Sequence, residues 1–157
     1  MPGPGLITDR MSREYVREMV QRDLATVPHH IGVNNHMGSK GTANAELMRI
    51  ILSEIKMRRL FFLDSQTTPD SKVPEVAEQL GTPYLTRDIF LDNVDDAEAI
   101  RRQVDKVRSI AARQGHAVAI GHFRPSTLKV LGEEIPKLES EGFEVVKLSE
   151  LNHYLNR

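Results

Sequence analysis

The groups in this chain that could do chemistry sit just after short apolar runs. Ile31-Gly32-Val33 empties into Asn34-Asn35-His36, and Leu60-Phe61-Phe62-Leu63 ends in Asp64-Ser65. Pro83-Tyr84-Leu85-Thr86 is followed by Arg87-Asp88, and Ala117-Val118-Ala119-Ile120 by Gly121-His122. Imidazole together with carboxylate suits a divalent metal such as zinc, or general acid–base chemistry near neutral pH. A carboxylate at the end of an apolar run, as at Asp64, is costly unless it is paired or liganded. Arg87 can orient a carboxylate or a substrate oxygen. Each group also has a plainer reading. A histidine can bond a nearby loop carbonyl, Asp64-Ser65 can form an Asx turn or cap, and Arg87-Asp88 can be a simple ion pair. Asp92-Asn93-Val94-Asp95-Asp96 reads mostly as a solvated loop and helix cap. His36 and His122 come from different runs, so no HExxH-like spacing marks a metal site.

The elements that must position these groups alternate along the chain. Ser12 is an N-cap for a helix to about Ala25, with Tyr15, Val16, Met19, Val20 and Leu24 at helical spacing. Ile31 to Asn34 is the first strand. Thr42 caps a second helix to about Arg59, and Leu60 to Leu63 reads as a strand buried on both faces. Pro74 opens a short helix ending near Gly81, and Pro83 to Thr86 is a brief strand. Asp95 or Asp96 caps the longest helix, which ends at Gly115 as a C′ residue. Ala117 to Ile120 is the fourth strand. Pro125 or Ser126 starts a helix to about Gly142 with a kink or break at Pro136. Phe143 to Lys147 is the fifth strand, leading to Ser149-Glu150 and a terminal helical turn over Leu148 to Leu155. Strands separated by helices imply parallel pairing, which gathers the strand-end groups on one face. The residues that enter the strands (Leu60, Thr82, His116, Phe143) are plain by comparison. His29, His30, His116 and His153 lie before strands or in the tail and read as surface or capping residues.

Composition excludes several functions. At 157 residues with a net charge of −1, the chain is one domain with no field that would recruit nucleic acid or an anionic membrane. It has no cysteine, so disulfides and thiolate metal sites are ruled out. It contains no run of about 18 apolar residues that could form a transmembrane segment, and no basic-then-apolar leader. Gly32 and Gly121 allow close backbone approach but form neither a GxGxxG nor a P-loop, and no GxSxG is present. Met1 to Gly5 reads as loop.

With these residues in view, the chain resembles the divergent polysaccharide deacetylases, relatives of the NodB-type metal-dependent carbohydrate deacetylases. The resemblance is carried by four segments. They are Gly32-Val33-Asn34-Asn35-His36-Met37-Gly38-Ser39, Phe61-Phe62-Leu63-Asp64-Ser65, Arg87-Asp88-Ile89-Phe90-Leu91-Asp92 and Ala119-Ile120-Gly121-His122-Phe123-Arg124-Pro125. It implies an α/β fold, a distorted (β/α) barrel of which about five parallel strands are present, incomplete at the N-terminus because the strand bearing an Asp-Asp pair precedes this chain. It implies His36 and His122 as ligands of a divalent metal, zinc in the first instance. Asp64, Asp88 and His122 would share the acid–base work, and Asn34, Asn35, Ser65 and Arg87 would hold the turn and the substrate. Lys40 stands where ordinary deacetylases carry their second histidine.

The expected function is hydrolysis of an N-acetyl or O-acetyl group on a polysaccharide, with inactivity the consequence if the absent Asp pair is essential. The alternative is a non-catalytic carbohydrate-binding or envelope-associated module on a degenerate deacetylase fold. An open barrel edge invites a homodimer that covers it. Relatives of this kind are commonly exported by bacteria, which places any leader outside this chain.

Overall fold

The structure, a computed structural model, describes residues 5–156; Met1 to Pro4 of the expected opening loop lie outside them. Among the described residues there are seven helices and five strands, all strand pairs parallel. The strands form a three-stranded and a two-stranded sheet rather than the expected five-stranded, closing set. The chain divides into two compact units, 1–86 with 149–157, and 87–148.

In the first unit, α1 (Arg13–Ala25) precedes β1 (Gly32–Asn34), α2 (Ser39–Thr42), α3 (Ala45–Met57), β2 (Phe61–Asp64), α4 (Val73–Leu80) and β3 (Tyr84–Thr86). The chain later contributes α7 (Leu148–Leu155). Ser12 caps α1 by accepting from the Tyr15 N–H at 3.2 Å. The expected second helix is split. Asn44, not Thr42, caps the long part by accepting from the Leu47 N–H at 3.0 Å. An amide side chain that satisfies a backbone donor starts a new helix more readily than it continues the old one. β2 lies between β1 and β3, with Val33 opposite Phe62 and Leu63 opposite Leu85. All four β2 residues are buried, as a continuous apolar run in a parallel sheet requires. Val16, Val20 and Leu24 of α1 pack with Leu52 and Ile55 of α3 and with Val73, Val76 and Ala77 of α4. Each such valine, leucine or isoleucine contributes about 1.5–3 kcal/mol by leaving water.

In the second unit, β4 (Ile89–Phe90), α5 (Ala97–Gln114), β5 (Ala119–Ile120) and α6 (Pro125–Ser140) come in order. Ile89 pairs with Ala119 and Phe90 with Ile120. Asp96 caps α5, its carboxylate accepting from the Ala99 N–H at 2.8 Å, and Gly115 closes it at φ 85°. α6 runs through Pro136 without ending there. Leu91, Ile100, Val104, Val130 and Leu138 form the core. Phe143 to Lys147, expected to be a strand, has no regular structure, and Val145 and Val146 are exposed. β-branched residues form a strand only beside a partner, and β4 takes the place next to β5 instead.

Gly32 meets its expectation of close approach, since a Cβ there would come within 2.5 Å of the Phe61 ring. Gly32→Ala is therefore expected to destabilise the protein by about 1–3 kcal/mol, read as a lower midpoint in urea.

Candidate active site

Because β4 and β5 are parallel, Asp92 and His122 leave the two-stranded sheet at the same end. Asp92 is fully buried, and a carboxylate in that position must have its oxygens satisfied. Its Oδ2 accepts from the His122 backbone N–H at 2.8 Å and from the Thr127 hydroxyl at 2.9 Å. Its Oδ1 lies 3.0 Å from His122 Nδ1. Arg124 donates from Nη1 to the Asp92 carbonyl at 2.9 Å, and its Nε is 3.9 Å from Oδ2. Burial pushes the Asp92 carboxyl up. The His122 N–H, the Thr127 hydroxyl and the His122 ring outweigh that, and it settles below the ordinary carboxylate value. An ionised carboxylate can only accept, so Nδ1 carries the hydrogen and Nε2 is the ring nitrogen able to accept one. The His122 side chain is 46% exposed, and its ring packs on Phe90 with centroids 5.3 Å apart.

Local sequence explains this geometry. Gly121 carries no side chain where a Cβ would press on Leu91 and Thr127 at 3.4 Å. Arg124 is the N-cap residue of α6 and Pro125 its first residue, which brings Thr127 into the first turn facing Asp92.

Asp88 lies at the other end of the same two strands. Its Oδ2 accepts from the Val118 N–H at 2.7 Å and its Oδ1 from the Gln114 amide at 3.2 Å. Arg87 holds its guanidinium 5.6 Å over the Phe90 ring. The acid that meets His122 is Asp92, in contrast to its reading as part of a solvated acidic loop. A signal for it exists in the sequence, since Ile89-Phe90-Leu91-Asp92 repeats the pattern of Phe61-Phe62-Leu63-Asp64, an apolar run ending in an acid.

In the first unit the strand ends are also tied together. Asn35 Oδ1 accepts from the Ser65 N–H at 2.8 Å, and the Asn35 carbonyl accepts from the Ser65 hydroxyl at 2.8 Å. Asn34 Nδ2 lies 3.4 Å from Ser65 Oγ. Asp64 is fully buried and accepts from the Gln66 N–H at 2.9 Å and the Ser71 hydroxyl at 2.7 Å, so its carboxylate closes the loop after β2. His36 is exposed at the rim of a cavity of about 710 Å³ walled by Leu24, Leu47, Met48 and Phe62. Lys40 pairs with Asp9 at 2.9 Å, and that hydrogen bond lowers the Asp9 carboxyl.

The structure thus joins Asn34, Asn35 and Ser65 in one unit and places His122 with Asp92 in the other. Among the described residues no three histidine or carboxylate side chains come together to hold a metal ion. A zinc site takes at least three protein ligands, so these donors by themselves do not fit the expected metal.

A sequence profile described as divergent polysaccharide deacetylase matches residues 1–152. The chain is 33% identical over 141 residues to the uncharacterized protein YibQ of Escherichia coli, covering 90% of this chain and 44% of that protein. It is 39% identical over 121 residues to an uncharacterized protein of Haemophilus influenzae, covering 77% and 43%. The chain therefore spans less than half the length of either curated relative. The crystal structure of an uncharacterized protein from Agrobacterium tumefaciens superposes with a TM-score of 0.93 at 23% identity, over 96% of this chain and 61% of that one. That likeness shows the shared fold.

The lowered Asp92 carboxyl has a pH signature. Its contribution to stability is present above the unfolded-state value and is lost as pH falls through the lower folded-state value. In urea titrations at successive pH values, wild type is expected to exceed Asp92→Asn at neutral pH, with the gap narrowing below about pH 4. A gap that is unchanged on acidification contradicts the ionised, hydrogen-bonded carboxylate.

Proposed function

Since the chain belongs to the divergent polysaccharide deacetylase family, we propose that it hydrolyses an acetyl group from a carbohydrate amine or hydroxyl. In this reading His122 is the general acid–base residue and Asp92 positions it. The observation that carries the reading is the buried Asp92 holding Nδ1 of a half-exposed His122. A histidine fixed through one nitrogen presents the other in a constant direction, which proton transfer to or from a reacting group requires. Water adds to the acyl carbon, the bond to the sugar nitrogen or oxygen breaks, and acetate leaves. His122 Nε2 takes a proton from the water as it adds and returns it to the departing nitrogen or oxygen. Phe90 beneath the ring and the Asp92 hydrogen bond keep the imidazole from turning away.

The roles first expected of the other acids change weight. Asp64 and Asp88 have their oxygens engaged by backbone and side-chain donors. We therefore place the carboxylate function on Asp92. Asn34, Asn35 and Ser65 in the first unit and Arg87 in the second remain proposed substrate-binding residues, and the parallel α/β architecture is consistent with a NodB-like fold.

The test is acetate release from the tetramer of N-acetylglucosamine. His122→Ala is expected to lower the rate by roughly 10²–10⁴-fold, beside a modest fall in the urea midpoint because the buried Asp92 carboxylate loses one donor. The rate is read under conditions where the variant is folded. Release that is unaffected in His122→Ala overturns the assignment. A protein that holds the oligomer and releases nothing is a carbohydrate-binding module on this fold, the reading favoured by Lys40, which pairs with Asp9 instead of supplying an imidazole.

A further inference from the structure

We propose that Phe123 is the platform on which a pyranose ring of the carbohydrate stacks, an inference that rests on the deacetylase reading of the same site. Phe123 is 93% exposed, whereas the chain's other four phenylalanines are buried or half-buried. A ring of that size in water forgoes the gain of burial, and a bound partner that covers it recovers that gain. One exposed apolar side chain is ordinary in itself. What sets Phe123 apart is the rigidity of its backbone and its neighbour.

The residues on either side of it are both held by Asp92. His122 donates its N–H to the Asp92 carboxylate at 2.8 Å, and Arg124 donates from Nη1 to the Asp92 carbonyl at 2.9 Å. The Arg124 N–H also donates back to the His122 carbonyl at 2.8 Å, which draws the three residues into a tight turn. Pro125 then fixes the start of α6. Phe123 therefore projects from a clamped loop, and little backbone entropy remains to be lost when it is covered.

Its place beside His122 gives the ring a purpose. Phe123 follows His122 directly, with Cα atoms about 3.8 Å apart, so a sugar that covers Phe123 lies against the turn that carries the imidazole. A pyranose offers one face rich in C–H bonds, with its hydroxyls around the edge. That face matches the electron-rich face of a phenyl ring in shape and in charge. Stacking fixes the plane of the sugar on the turn that carries His122. Phe90 is less able to serve, being half-buried with the His122 ring and the Arg87 guanidinium against it.

Calorimetric titration with the tetramer of N-acetylglucosamine tests this, read beside acetate release. Phe123→Ala is expected to raise Kd and KM about tenfold, equivalent to about 1.4 kcal/mol. Phe123→Trp should bind at least as tightly as wild type, because it keeps a flat aromatic face. Phe123→Leu should remain weak, because it restores apolar area without that face. The proposal is overturned if wild type does not bind the tetramer, if Phe123→Ala binds as wild type does, or if Phe123→Leu restores binding. Binding that depends on Phe123 without acetate release keeps the platform and refutes the deacetylase reading. Acetate release with an unchanged KM in Phe123→Ala refutes the platform alone.

Discussion

The buried carboxylate of Asp92 is the constraint around which the second unit is arranged. A charge in that position is stable only if donors surround it, and the donors come from three residues in one turn of chain. The His122 N–H and ring, the Thr127 hydroxyl and the Arg124 side chain all reach Asp92 or its carbonyl. Together they fix the end of β5, the start of α6 and the orientation of one imidazole. Removing such a group while leaving its donors buried costs far more than an exposed ion pair contributes. The requirement that a buried charge be satisfied is thus also what aims the histidine.

Asp64 in the first unit has the same burial and a different use. Its donors are the Gln66 N–H and the Ser71 hydroxyl, both in the loop after β2, so it shapes a turn. Ser65 donates two hydrogen bonds to Asn35, from its N–H and its hydroxyl, and these join the ends of β1 and β2. Two acids that each end an apolar run have become a loop organiser and a histidine partner. The residues at the end of the neighbouring strand make the difference, an asparagine pair in one sheet and a glycine and histidine in the other.

The elements legible in the amino-acid order are those whose signals are local. Ser12, Asp96, Pro74, Gly81 and Gly115 mark helix ends because a cap or a left-handed turn depends on one residue and its near neighbours. The apolar run at Phe61 to Leu63 could only be a buried central strand, and alternation of strands with helices made every pair parallel. His122 was legible as a functional candidate because its place after a strand comes from that alternation. Partners distant in sequence are chosen by packing. Two residues, Ile89 and Phe90, form a strand because β5 lies beside them, while the more strand-like Phe143 to Lys147 joins neither sheet and stays irregular. Asp92 and Asp88 stand four positions apart, yet one meets the imidazole and the other the amino end of β5. A hydrogen bond between residues 30 apart depends on register across a sheet, and no local pattern carries that information.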